Sequence, residues 1–80
     1  MEERRNMKSE PFFIEAAVDE RGPKTLKVVE SYNQYHVYDD AEMITCIQVD
    51  EDGDWEQIDG DVSNGIVILV GQAIKRHLRK

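Results

Sequence analysis

Turn chemistry recurs along this chain as far as residue 54 and cuts it into runs too short for ordinary helices. "DERGP" (19–23), "SYNQ" (31–34), "DDAE" (39–42) and "EDG" (51–53) are breaks of this kind. Gly supplies unusual φ values, Pro ends pairing, and Asn and Asp bond their own backbone. The runs between them carry strand signals. In "FFIEAAV" (12–18), Phe12, Ile14, Ala16 and Val18 fall on one face, with Phe13, Glu15 and Ala17 on the other. "KTLKVVES" (24–31) puts Leu26 and Val28 inward and Thr25 and Lys27 outward. These two runs read as a hairpin. "YHVYD" (35–39) is short and rich in β-formers. "MITCIQV" (43–49) is the most apolar of the set, with Ile44 and Cys46 on one face and Ile47 and Val49 on the other. Such a strand belongs in a central position or is covered on both sides. Trp55 to Ile58 extends the sheet as a fifth, short strand.

The last segment reads two ways. "IVILV" (66–70) is β-branched, and "NG" (64–65) before it is a hairpin signal. Yet Ile66, Val67, Val70, Ala73, Ile74, His77 and Leu78 follow helical spacing, and Asp61 or Ser63 can cap the start. The closing "KRHLRK" then lies where cations favour the helix dipole. Gly65 and Gly71 oppose a helix by about 1 kcal/mol each relative to Ala. The balance favours a helix over 63–79, because without one the inward faces of four strands stay wet. The expected fold is two-layer α+β: an antiparallel sheet of four to five strands, a meander of hairpins, with one C-terminal helix packed across one face. Residues 1–10 read as a disordered tail and 11–80 as one small domain.

"DEDGDWEQIDGD" (50–61) is the strongest local signal, and an EF-hand is the first idea it raises. That loop needs oxygen ligands at positions 1, 3, 5 and 12 with Gly at 6. With Gly53 at position 6, Gln48 takes position 1 and Asp59 position 12, both poor ligands there. With Gly60 at position 6, Trp55 takes position 1, which fails outright. A hairpin fits better. A three-residue loop, "EDG", with Gly53 left-handed, sets Val49 opposite Trp55 and Cys46 opposite Ile58.

Charge layout excludes more than it identifies. The formal net charge is −7, and no Lys or Arg occurs from Val28 to Ile74. The first 27 residues hold six acids and six bases and cancel. An acidic middle repels phosphate, so nucleic acid is not an expected partner. No apolar run reaches the roughly 18 residues of a membrane span, and the N-terminus is too polar for a signal peptide. The single cysteine, Cys46, allows no internal disulfide and no Cys-rich zinc site. The expected location is the cytoplasm. Self-association, as a dimer, is the candidate staple for so thin a core.

No catalytic constellation is visible. Cys46 lies mid-strand and reads as a buried, inert thiol. A metal site would need His36 and His77 together with Asp39 or Asp40, and the spacing does not support it. The expectation is therefore no enzyme, no cofactor and no metal. What remains is surface. Tyr32, Tyr35, Tyr38 and His36 form an aromatic patch, with Tyr35 and Val37 on one strand face and His36 and Tyr38 on the other. One pair packs in the core and the other is free for a protein partner, since Tyr is favoured at interfaces. The candidate partner-binding residues are His36, Tyr38, Asp39, Asp40 and Glu42, with the basic tail Lys75, Arg76, Arg79 and Lys80 as a second patch. The expected function is a non-enzymatic protein–protein interaction or regulatory module, in which the tail of one subunit can meet the acidic middle of another. The alternative is a small-molecule or ion binder using the sheet–helix crevice or the acidic turns.

The C-terminal half also resembles HicB-type antitoxins through "DEDGDW", "GDV" and "AIKRHL". In that family an acidic turn follows a strand, and a Gly-Asp step leads into a helix. The apolar strand and proline-rich stretch which that family carries between turn and helix are missing here, and extra strands precede the turn. The resemblance covers under half of the chain and implies binding to a toxin.

Overall fold

Period-two patterning yields a strand wherever it occurs. β1 (Phe12–Ala17), β2 (Pro23–Ser31), β3 (Gln34–Asp39), β4 (Glu42–Val49) and β5 (Trp55–Gly60) precede one helix, α1 (Asn64–Leu78). The computed structural model describes residues 10–79. Nearly all of the expected tail, 1–10, and Lys80 lie outside the described residues. The strands form one five-stranded sheet in chain order, each antiparallel to the next. With α1 packed across one face, this is the expected α+β meander and helix.

The core lies between sheet and helix. Ile14, Leu26, Val28, Val37 and Ile47 come from the strands, and Val67, Val70, Ala73 and Ile74 close over them from α1. Burying a side chain of the Val or Leu class stabilises by about 1.5–3 kcal/mol. Residue 66 onward is helical because a cap and a partner surface are both present. The Ser63 hydroxyl accepts from the Ile66 N–H at 3.3 Å, and Lys75, Arg76 and His77 occupy the last turn. Gly71 is explained by packing rather than propensity. A Cβ there would collide with the Trp55 indole, so the bare backbone lets the helix lie on the ring. His77 stacks on Phe12, with ring centroids 4.2 Å apart, and fastens the end of α1 to the start of β1.

The acidic hairpin follows the expected register. Val49 pairs with Trp55, the Asp50 N–H donates to the Asp54 carbonyl at 2.8 Å, and Gly53 takes φ +88°. The Asp50 carboxylate accepts the Asp52 and Asp54 N–H groups at 2.9 Å each, so this acid builds the loop.

Four details depart from expectation. Cys46 pairs with Asp59, not Ile58, because β5 carries a bulge that leaves Ile58 unpaired between Gln57 and Asp59. A second irregularity, in the β3–β4 ladder, leaves Ile44 unpaired, and Ile44 packs against the core while Cys46 faces away from it. Leu78, expected on the inner stripe, is 52% exposed at the last residue of α1. In addition, Pro23 does not end pairing but begins β2, opposite Ala17.

Candidate functional site

The sheet face opposite α1 is built from residues that alternate with the core. The registers align them into three cross-strand rows. Phe13, Lys27, Tyr38 and Met43 form the first; Val29, His36, Cys46 and Asp59 the second; Ser31, Gln34, Gln48 and Glu56 the third. The first row is the most aromatic. Phe13 is 59% exposed, and the Lys27 ammonium stands 5.5 Å from the Tyr38 ring centroid. A cation over an exposed ring contributes about 0.5–1 kcal/mol, and Tyr38 stays half-buried beneath it.

The second row contains the thiol. Cys46 Sγ lies 3.9 Å from His36 Nε2 and 3.8 Å from Gln34 Oε1, and the residue is only 2% exposed. Burial, and secondarily the Asp59 carboxylate, push the thiol up from its ordinary range. The thiol is therefore held protonated at neutrality, the reverse of an activated nucleophile. It is buried, as the sequence suggests, but beneath its row neighbours rather than beneath the helix.

The predicted partner-binding residues do not share one surface. His36 and Tyr38 stand on the open face, half-buried, in adjacent rows. Asp39 pairs with Glu42 at the end of the sheet, and its carboxylate is 2.9 Å from the Lys24 ammonium, with Asp19 at 3.6 Å on the same cation. The hydrogen bond that the Lys24 ammonium donates to Asp39 is the main cause raising the Lys24 pKa. Asp40 is exposed in the turn, with φ +58°. The three tyrosines also separate. Tyr35 is edge-on to Trp55, with centroids 5.8 Å apart, on the core side; Tyr38 is on the open face; Tyr32 lies in the β2–β3 turn, 96% exposed at φ +53°. The basic patch divides as well. Lys75 lines a groove with Asp54 and Trp55, whereas Arg76 lines another beside β1. Lys80 lies outside the described residues.

Two groups carry chemistry that alternation alone does not reveal. The carboxylates of Asp50, Asp52 and Asp54 offer oxygens within 4.8 Å of one another. Asp50 is already bonded to the loop's own N–H groups, so loop closure accounts for its place. On the helix side, Gln57 acts as a clamp. Its amide donates to the Val62 carbonyl and accepts from the Val62 N–H, both at 3.1 Å, and its oxygen takes the Thr45 hydroxyl at 2.8 Å. That satisfies the buried Thr45 and ties β4, β5 and the approach to α1 together. The signal in the sequence is a polar residue at an inward position of β5, two after Trp55.

Among the described residues, no helix is long and apolar enough to cross a membrane. No family model, no curated protein and no solved structure matches the chain.

Proposed function

We propose that this protein is a non-enzymatic binding module that receives a protein partner on the open face of its sheet. The observation carrying this reading is the aromatic and apolar run across that face: Phe13, Tyr38, Val29 and His36 in adjacent rows, rimmed by Glu15, Gln48 and Glu56. An aromatic centre inside a polar rim is the composition of a protein interface. Exposed Ile58, at 43%, extends the run from the other edge. The acids on this face, Glu15, Glu56 and Asp59, disfavour a phosphate chain.

The test is affinity capture from native lysate with the intact protein and with a His36→Ala, Tyr38→Ala double variant. The wild type retains a partner that the variant loses, and the purified partner raises the melting temperature of the wild type alone. A melting temperature indifferent to every protein, but raised by calcium or magnesium, moves the reading to ion binding at Asp50, Asp52 and Asp54.

A further inference from the structure

The sheet has two edges, and one is defended more heavily than the other. β5 carries a bulge at Ile58, the charges Glu56 and Asp59, and the Gln57 clamp that draws the following chain back on itself. These are devices by which proteins stop an edge from pairing. β1 carries one charge, Glu15, and among the described residues neither a bulge nor a clamp. Its six residues, "FFIEAA", run in unbroken register with β2, without Pro, Lys or bulge. Among the described residues its other side pairs with nothing.

A groove of about 580 Å³ follows that free edge. Phe13, Ile14 and Glu15 line it from the strand, and Ala73, Arg76 and His77 line it from α1. Lys75, Arg76 and Arg79 are the only Lys or Arg between residues 28 and 79, and none has an ion pair among the described residues. An unpaired guanidinium therefore faces an unpaired strand edge. A second copy is a poor occupant. Two β1 strands related by a two-fold axis would carry both helices on one face and bring Arg76 toward its own image. The acid at this edge, Glu15, points to the open side, as does Phe13.

We propose that the free edge of β1 accepts an extended acidic peptide segment of a partner protein as a sixth strand. Its main chain pairs with β1, its acids on the helix side meet Arg76, and its alternate apolar side chains lie beside Phe13. Strand addition of this kind takes affinity from main-chain hydrogen bonds and specificity from alternate side chains. The inference rests on reading the chain as a partner-binding module; it shares Phe13 with the open face but does not use His36 or Tyr38.

The probe is the capped peptide Glu-Val-Glu-Val-Glu-Val, matching the six residues of β1. It is titrated into the isotope-labelled full chain at low salt, and amide shifts are read by NMR. The expected result is saturable shifts concentrated on residues 12–17. Affinity falls with added salt, drops about tenfold or more in Arg76→Glu, and drops less in Arg76→Gln. The same peptide N-methylated at alternate residues no longer binds. Circular dichroism checks that both variants keep the helix. Shifts absent from β1, equal binding of a Lys-Val peptide, or an Arg76→Glu variant that binds as well as the wild type overturns the proposal. Self-association through β1, detected by sedimentation and NMR, also overturns it in favour of a second copy. His36→Ala, Tyr38→Ala leaves the peptide shifts unchanged. Peptide binding that fails while that variant still loses the captured partner leaves the open-face reading intact.

Discussion

On the helix side of the sheet, Leu26, Val28, Val37 and Ile47 are fully buried in the hydrophobic core, and the buried Thr45 beside them is hydrogen-bonded. On the opposite side, the residues between them in the same strands are Lys27, Val29, His36 and Cys46, and the edge residue Phe13 is largely exposed. One face holds the fold together, and no helix covers the other among the described residues. The difference follows from numbers: the described residues supply one helix, and one helix covers one face. Period-two alternation then forces every second side chain to the uncovered side. Phe13 is exposed there and the rings of His36 and Tyr38 are half-buried, and this group is the basis for proposing a partner.

The largest effects should come from the covered face. Ile47→Ala or Ile74→Ala removes a fully buried side chain and should cost about 2–5 kcal/mol, read from urea unfolding. Gly71→Ala sharpens the point. In an exposed helix this change gains about 1 kcal/mol; here the new methyl meets the Trp55 indole, so stability should fall and Trp fluorescence should change. A gain in stability would mean that the helix does not press on the ring. Gln57→Ala strips the clamp from Val62 and leaves the Thr45 hydroxyl short of its acceptor, for an expected loss of about 1–3 kcal/mol in the same assay. On the open face, Tyr38→Ala should change stability by no more than about 1 kcal/mol, most of it from the lost cation–ring contact.

The smallest effect is a pH dependence that reports both faces. Burial, with Asp59 second, raises the Cys46 thiol on the open face; burial, with Glu30 second, raises the Tyr35 hydroxyl on the covered face. Each group ionises more readily in the unfolded chain. Stability is therefore full below the unfolded thiol range and declines as pH rises above about 8.5. Cys46→Ala should remove the earlier part of that decline and leave the later, tyrosine part. Unfolding midpoints measured from pH 7 to pH 10 check the sign.

Much of the fold was legible because its signals are local. Strand alternation, Ser63 as a cap, Gly53 as the left-handed loop residue and the Val49–Trp55 pairing each depend on a few neighbouring residues. The features that escaped depend on contacts between distant segments. Nothing inside "IVILVGQAI" says that Gly71 must receive an indole from residue 55. The bulges that set Cys46 against Asp59 and leave Ile44 unpaired are properties of two strands together. The grouped tyrosines illustrate the same limit. Tyr32, Tyr35 and Tyr38 are close in sequence, yet a turn and a change of face send them to three environments. For the site, alternation correctly separated His36 and Tyr38 from Tyr35 and Val37, but the tie of Asp39 to Lys24 needed the third dimension.

The most direct measurement compares stability and partner capture for the His36→Ala, Tyr38→Ala variant beside Ile47→Ala. The predicted result is that the open-face variant unfolds within about 1 kcal/mol of the wild type yet loses the captured partner. The core variant should lose several times that stability while retaining the partner under folded conditions. Capture at the wild-type level with His36 and Tyr38 removed would contradict the assignment of the open face as the binding surface.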